Sequence, residues 1–201
     1  MHQSSYDKVL DFRRRYLAEK ESGPLRVVDI GSQDVNGSYR PIFDLPAWHY
    51  TGADLAPGRN VNVVLHHPYR WSELPSGSAD VLVSGQAFEH VSQPWAAILE
   101  VARVLAPGGI CCIVVPSSGP EHRYPVDCWR IYPDGLIALA ALAELEVLEV
   151  VTQWENLGYT DGSDTWHDSM LIARRPFLGA YDTVKAGIKR WLRLQTITVG
   201  M

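Results

Sequence analysis

The 201-residue sequence has little of what marks a membrane, secreted or nucleic-acid-binding protein. No apolar run reaches the roughly 18 residues of a membrane span, and the polar N-terminal stretch MHQSSYDKVLDFRRRYLAEKES lacks the apolar centre of a signal peptide. The formal net charge of −5 argues against a protein that grips phosphate backbones, because that task requires clustered lysine and arginine. We therefore expect a cytoplasmic protein that has no transmembrane segment and does not act on nucleic acid.

Cysteine is equally scarce. Cys111 and Cys112 are neighbours in an apolar run, and Cys128 stands alone. This spacing fits neither a zinc site nor a disulfide framework. We expect three buried free thiols.

Apolar segments of strand length alternate with helical patterns along most of the chain. The strand-like runs are LRVVDI, WHYTGAD, VNVVL, ADVLVSG and GICCIVVP, followed later by LEVLEVVTQW and DSMLIARRP. Helical periodicity is present near the N-terminus, in PWAAILEVARVL and in GLIALAALAE. The sequence predicts an α/β fold: a Rossmann-like, doubly wound, mostly parallel seven-stranded sheet with helices on both faces.

Two segments follow from this pattern. Residues 1–176 are expected to form one domain that includes the N-terminal helix and the long loops of an acceptor site. Residues 177–201 carry Lys185, Lys189, Arg190 and Arg193 beside Trp191, which predicts a basic amphipathic helix or tail. The sequence leaves open whether the chain forms a homo-oligomer.

Glycine is missing where a dinucleotide site would need it. Gly31 follows the first strand, but Ser32, Gln33 and Asp34 take the place of the remaining G-x-G-x-x-G pattern. What is present is Asp29-x-Gly31 after the first strand and Asp54 at the end of the second. A carboxylate in the position of Asp54 can accept both hydroxyls of a ribose, although a plain surface turn is the alternative.

These motifs and those that follow resemble the class I S-adenosylmethionine-dependent methyltransferases. VVDIGS is similar to the first family motif, YTGADL to the second-strand acid, VNVVLHHPYRW to the adenine-flanking segment, ADVLVSGQAFEHV to the fourth-strand motif, and EVARVLAPGGICCIVVP to the fifth. The resemblance implies S-adenosyl-L-methionine as cofactor. The residues that it implies for the cofactor site are Asp29, Gly31, Ser32, Asp54, Leu55, His66 and Gln86.

Two positions depart from the family pattern. Gln33 stands where a second glycine is common, and His66 stands where an acidic adenine contact is frequent. QDVNGSYRP and HRYPVDCWRIYPDG further resemble small sugar O-methyltransferases of glycan biosynthesis, such as those of mycobacterial methylmannose polysaccharides. That resemblance implies that the acceptor is a free hydroxyl of a methylated sugar.

A sugar hydroxyl is a poor nucleophile at neutral pH, so a general base or a metal ion is expected. His122 is the first candidate for the base, with Asp127 to orient its ring, and His167 is the second. Mg²⁺ is a hypothesis, with Glu89 and Glu121 as its carboxylate ligands. For each of these side chains an ordinary loop hydrogen bond is the alternative.

Aromatic side chains are dense in the loops expected to cover the acceptor. Trp129, Tyr132 and Trp166 are candidates for stacking on the apolar face of a pyranose, or simply for burying the loops. Carboxyl or N-methylation of a small metabolite remains an alternative, as does a module that binds the cofactor without catalysis. An oxidoreductase is disfavoured by the missing glycines.

Overall fold

The computed structural model describes residues 2–177, 187–189, 191, 192 and 195. The helices are α1 (Gln3–Tyr16), α2 (Arg40–Phe43), α3 (Pro94–Val104) and α4 (Pro133–Leu142). The strands are β1 (Leu25–Ile30), β2 (Trp48–Asp54), β3 (Val63–Val64), β4 (Ala79–Gly85), β5 (Leu105–Val115), β6 (Glu146–Thr152) and β7 (Ser169–Arg174).

The seven strands form one sheet in the order β3-β2-β1-β4-β5-β7-β6. Strands β1 to β5 pair in parallel, whereas β7 runs antiparallel to both β5 and β6. The order reverses between β1 and β4, which creates the crevice where open α/β sheets bind their ligands. The predicted doubly wound, mostly parallel seven-stranded sheet is confirmed.

Each face of the sheet has its own apolar core. On one face, Leu99 and Leu136 of α3 and α4 pack among residues such as Leu82 and Ile113. On the other face, the fully buried Phe12 of α1 belongs to a cluster with Ile42 and Phe43 of α2 and with strand residues such as Val81 and Cys112. Burial on both faces explains why the central strands are nearly continuous apolar runs.

Several local predictions differ from the structure. The third strand is reduced to two residues, and β5 begins already at Leu105, before the predicted run GICCIVVP that starts at Gly109. Cys111 and Cys112 are buried as expected, but Cys128 is exposed because it lies in the loop after β5. No helix among the described residues is long and apolar enough to cross a membrane.

Most of the expected C-terminal segment lies outside the described residues, including Lys185, Arg190 and Arg193. Within it, residues 187–189, 191 and 192 are helical, and the side chains of Trp191 and Leu192 are more than half exposed. The boundary between a domain at 1–176 and a tail at 177–201 therefore stays a prediction.

Candidate functional site

A cavity of about 440 Å³ opens at the carboxyl ends of the parallel strands. Its walls come from the loops after β1, β2, β4 and β5, and from the residue that precedes α1. Its lining includes His2, Asp29, Gly31, Ser32, Tyr39, Asp54, Leu55, Gln86, His90, His122 and Tyr124.

Gly31 makes the turn that shapes one end of this cavity. Its φ of 76° lies in the left-handed region, which favours glycine. A Cβ placed on it would come within 2.5 Å of the Cβ of Ala87 in the loop after β4. Two independent reasons therefore require a glycine at this position: the backbone conformation and the close approach of the two loops.

Asp29 lies beneath this turn. Its side chain is buried and accepts a short hydrogen bond from the Tyr50 hydroxyl, which in turn accepts one from the Asn60 amide at 2.9 Å. Burial raises the pKa of Asp29 to about 7, with the Tyr50 hydrogen bond opposing the shift. Asp29 can thus exchange a proton near neutral pH without leaving the cavity wall.

Asp54 closes the same end of the cavity from β2. One of its oxygens accepts the backbone N–H of Gln33 at 3.0 Å, and the other faces the backbone N–H of Ala56 at 3.3 Å. Gln33, which stands where a glycine is common, therefore contributes its main chain to the site. Ser32 is buried beside it, whereas Leu55 is half exposed and presents an apolar surface to the cavity.

Gln86 marks the other half of the cavity, at the end of β4. Its backbone is in the left-handed region with a φ of 54°, an uncommon conformation for a residue with a side chain. Its amide Nε2 donates to Asp168 at 2.9 Å, while the buried Oε1 has no partner among the described residues. The fixed amide leaves one buried carbonyl oxygen without a partner among the described residues.

Glu89, His90 and His122 meet beside Gln86 and form a group that we call the imidazole cluster. One ligand atom from each lies within 4.8 Å of the other two. The His90 Nδ1 lies 2.6 Å from the backbone carbonyl of Val126, and its Nε2 lies 3.6 Å from Glu89. Burial raises the pKa of Glu89 to about 8 and lowers the pKa of His122.

Asp127 and Arg130 hold His122 from behind. Both carboxylate oxygens of Asp127 accept hydrogen bonds from Arg130, at 2.7 and 2.8 Å, and one also accepts the backbone N–H of His122 at 2.7 Å. The His122 Nδ1 lies 3.5 Å from Asp127 and 3.4 Å from the Arg130 guanidinium. The Arg130 guanidinium holds the pKa of Asp127 well below its usual range.

Trp166 joins the imidazole cluster to the N-terminus. Its ring lies 4.6 Å from the His122 ring and stacks on His2 at 4.8 Å. Helix α1 is fixed here by Ser4, which donates to Asp168 at 2.5 Å. Sequence reasoning missed His2, because no local pattern indicates that the start of a helix reaches a loop more than 160 residues away.

Other candidates from the sequence lie outside the cavity lining. His66 is exposed and contacts Glu73 at 2.7 Å, and His167 has its Nδ1 3.0 Å from the backbone carbonyl of Gln153. The Trp129 indole donates to the Val91 carbonyl, and Tyr132 stacks on Trp154. Glu121 is exposed and pairs with Arg123 instead of joining Glu89.

Comparisons with known proteins agree with this geometry. Residues 29–113, from Asp29 through β5, match the family model described as a methyltransferase domain. No curated protein sequence matches the chain significantly.

Solved structures share the fold at low sequence identity. The [4+2]-cyclase SpnF has a TM-score of 0.64 at 18% identity, with 88% of this chain and 83% of that one covered. A protein of Bacillus halodurans C-125 described as a candidate methyltransferase has a TM-score of 0.62 at 14%, with 86% and 99% covered. Haemonchus contortus phosphoethanolamine N-methyltransferase 2, solved with S-adenosyl-L-methionine, has a TM-score of 0.60 at 14% identity. The match covers 85% of this chain and 52% of that one.

These neighbours establish the fold, and the cyclase among them illustrates that one fold hosts different reactions. The domain match together with the fold supports an S-adenosylmethionine-dependent methyltransferase.

Replacing Gly31 with alanine tests the turn after β1 at one end of the cavity. Gly31→Ala should weaken binding of S-adenosyl-L-methionine by at least about tenfold, because the added Cβ collides with Ala87. Gly77→Ala is the matched control: its φ is 70°, yet a Cβ there meets no atom within 4 Å. Titration calorimetry measures both, and equal affinities for the two variants would contradict the importance of the close approach.

The buried carboxyl of Asp29 predicts a pH dependence of stability. Its folded-state pKa of about 7 lies above the pKa of an unfolded aspartate, about 4, so its contribution to stability is fully present in acid and is lost as the pH rises from about 4 to about 7. Asp29→Asn should flatten the fall in unfolding free energy between about pH 4 and 8 by up to about 1.4 kcal/mol per pH unit. Urea unfolding of the ligand-free wild type and variant across this range gives the slope of unfolding free energy against pH for each. Identical slopes in the two proteins would refute the raised pKa of Asp29.

Proposed function

We propose that the protein transfers a methyl group from S-adenosyl-L-methionine to a hydroxyl of a small molecule or oligosaccharide, with a methylated sugar as the acceptor class. The observation that supports this proposal is the continuity of one cavity from the Gly31–Asp54 end to the imidazole cluster. Methyl transfer requires such a path, because acceptor oxygen, methyl carbon and sulfur must lie in line.

In this proposal the nucleoside of the donor occupies the end of the cavity formed by the loops after β1 and β2. Asp54 accepts hydrogen bonds from the ribose hydroxyls, and the half-exposed side chain of Leu55 covers the base. The amino-acid part of the donor then runs past Gly31 towards Gln86, whose carbonyl oxygen lacks a partner among the described residues. This direction places the sulfonium methyl towards the imidazole cluster.

The acceptor occupies the end formed by His2, His90, His122 and Tyr124, which all line the cavity. Such rings offer apolar faces for sugar C–H groups, and ring nitrogens for its hydroxyls. The imidazole cluster activates the hydroxyl. His122 suits this role better than His167, because it lines the cavity and its lowered pKa keeps it neutral at physiological pH.

The finer parts of the sequence-based hypothesis belong to this proposal. They are the sugar acceptor, a role in polysaccharide biosynthesis, a cytoplasmic location and a divalent cation, for which the sequence suggested Mg²⁺. Carboxyl or N-methylation is the second candidate, since the structural neighbours include an N-methyltransferase.

A labelled-methyl assay tests the proposal. The protein is supplied with labelled S-adenosyl-L-methionine and a panel of methylated mannose oligosaccharides, simple sugars, phenols, carboxylates and amines, with Mg²⁺ or with EDTA. We expect label on a sugar hydroxyl, together with loss of transfer in the variant His122→Ala. Label confined to carboxylates or amines would overturn the hydroxyl proposal and leave the donor intact.

Two tryptophan variants separate the residues that support the acceptor end. Trp166→Ala should raise the acceptor KM by about tenfold while leaving donor affinity unchanged, because Trp166 holds His2 and His122 in place. Trp129→Ala should change the acceptor KM little, since its ring packs against Trp95 and its indole donates to Val91. Steady-state kinetics with the acceptor found above gives both values. The reverse order would favour the sequence-based expectation that Trp129 stacks on the sugar.

A further inference from the structure

Glu89 carries a buried carboxyl group that the described residues leave without a partner. The side chain is fully buried, and neither oxygen has a hydrogen-bond partner within the described part of the chain. Its charged neighbours are Asp168, Asp127 and Arg130, so anions outnumber cations around it. A buried carboxylate in such surroundings is costly unless it takes up a proton or meets a further cation.

His90 directs a free lone pair towards Glu89. Its Nδ1 lies 2.6 Å from the Val126 carbonyl oxygen, which can only accept, so this nitrogen carries the proton. The neutral ring then has its lone pair on Nε2, which lies 3.6 Å from Glu89 Oε1. A histidine held through Nδ1–H by a backbone carbonyl is the usual arrangement of a metal ligand.

His122 supplies the third donor. Its ring lies 4.9 Å from that of His90, and its Nδ1 lies 3.5 Å from a carboxylate oxygen of Asp127 and 3.4 Å from Arg130. Nε2 offers its lone pair to an ion in the tautomer whose Nδ1 proton is directed at Asp127. The positive charge of Arg130 is compensated by two hydrogen bonds to Asp127. The pair therefore orients the ring without placing an uncompensated cation beside it.

We propose that Glu89, His90 and His122 bind one divalent transition-metal ion in the wall of the cavity. One ligand atom from each residue already lies within 4.8 Å of the others. Ligand atoms bound to one ion at about 2.0–2.2 Å lie roughly 3 to 4 Å apart, so a small ring rotation closes the site. The second carboxylate that the sequence suggested, Glu121, stays outside it with Arg123.

The donor set indicates which ions fit. Two imidazoles and one carboxylate suit zinc, iron, cobalt or nickel, whereas Mg²⁺ prefers an octahedron of oxygens. Three protein ligands leave coordination positions open, as in catalytic metal sites. Since His90 and His122 also line the cavity, the open side of the ion faces the ligand space.

This role in catalysis rests on the proposed function. An ion at the site lowers the pKa of the acceptor hydroxyl, whose O–H bond breaks and releases the proton to water. The oxygen lone pair forms the bond to the methyl carbon as the carbon–sulfur bond breaks, leaving neutral S-adenosylhomocysteine. His122 then acts as a ligand of the ion, in place of the general base expected from the sequence.

Cobalt binding to the chelator-treated, full-length protein tests the site without requiring turnover. Wild-type protein should bind one Co²⁺ per chain with a visible absorption band, and Zn²⁺ should displace it while millimolar Mg²⁺ should not. Glu89→Gln and His122→Ala should each weaken binding by at least about tenfold. Circular dichroism verifies folding, and His122→Ala keeps the test valid if the buried Glu89→Gln variant unfolds.

The exposed His66–Glu73 pair provides the control for nonspecific binding to surface histidine. His66→Ala should retain the bound cobalt. Absence of cobalt binding by wild type, unchanged binding in His122→Ala, or equal competition by Mg²⁺ would overturn the proposal. The two proposals fail separately. A bound ion without methyl transfer to any hydroxyl contradicts only the proposed function, and methyl transfer by a wild type that binds no cobalt contradicts only the metal site.

Discussion

The close approach of Gly31 to Ala87 is the contact on which the site depends. Strands β1 and β4 are neighbours at the point where the strand order reverses, so the loops that follow them meet at one edge of the sheet. Only a glycine lets the first loop turn there without striking the second. The cavity can therefore run without interruption from Asp54 on one side to His90 on the other.

The second half of the cavity depends on elements distant in sequence. Antiparallel β7 begins beside the end of β5, which brings Asp168 next to Gln86. Asp168 also accepts from Ser4, so helix α1 is tied to the same carboxylate as the β4 loop. This shared partner holds the start of helix α1 and Gln86 together, and both His2 and Gln86 line the cavity. The N-terminal helix is therefore part of the site as well as a cover for the sheet.

Periodicity and motif order predicted the fold and the loops that form the Gly31–Asp54 end of the cavity, because both depend on residues close in sequence. Alternating apolar runs specified the strands, and Asp29-x-Gly31 with Asp54 marked the loops after the first two. The end of the cavity that holds the imidazole cluster was harder to predict. Nothing local indicates that Glu121 turns outward to Arg123 while His90 meets His122, since both outcomes depend on how the loop after β5 folds back.

A crystal structure with S-adenosylhomocysteine would test the placement of the donor most directly. The ribose should lie against Asp54, with the sulfur directed past Gln86 towards His90 and His122. That orientation would place the departing methyl group next to the acceptor end. A ligand bound elsewhere, or one with its sulfur directed away from the imidazole cluster, would contradict the assignment of the two halves of the cavity.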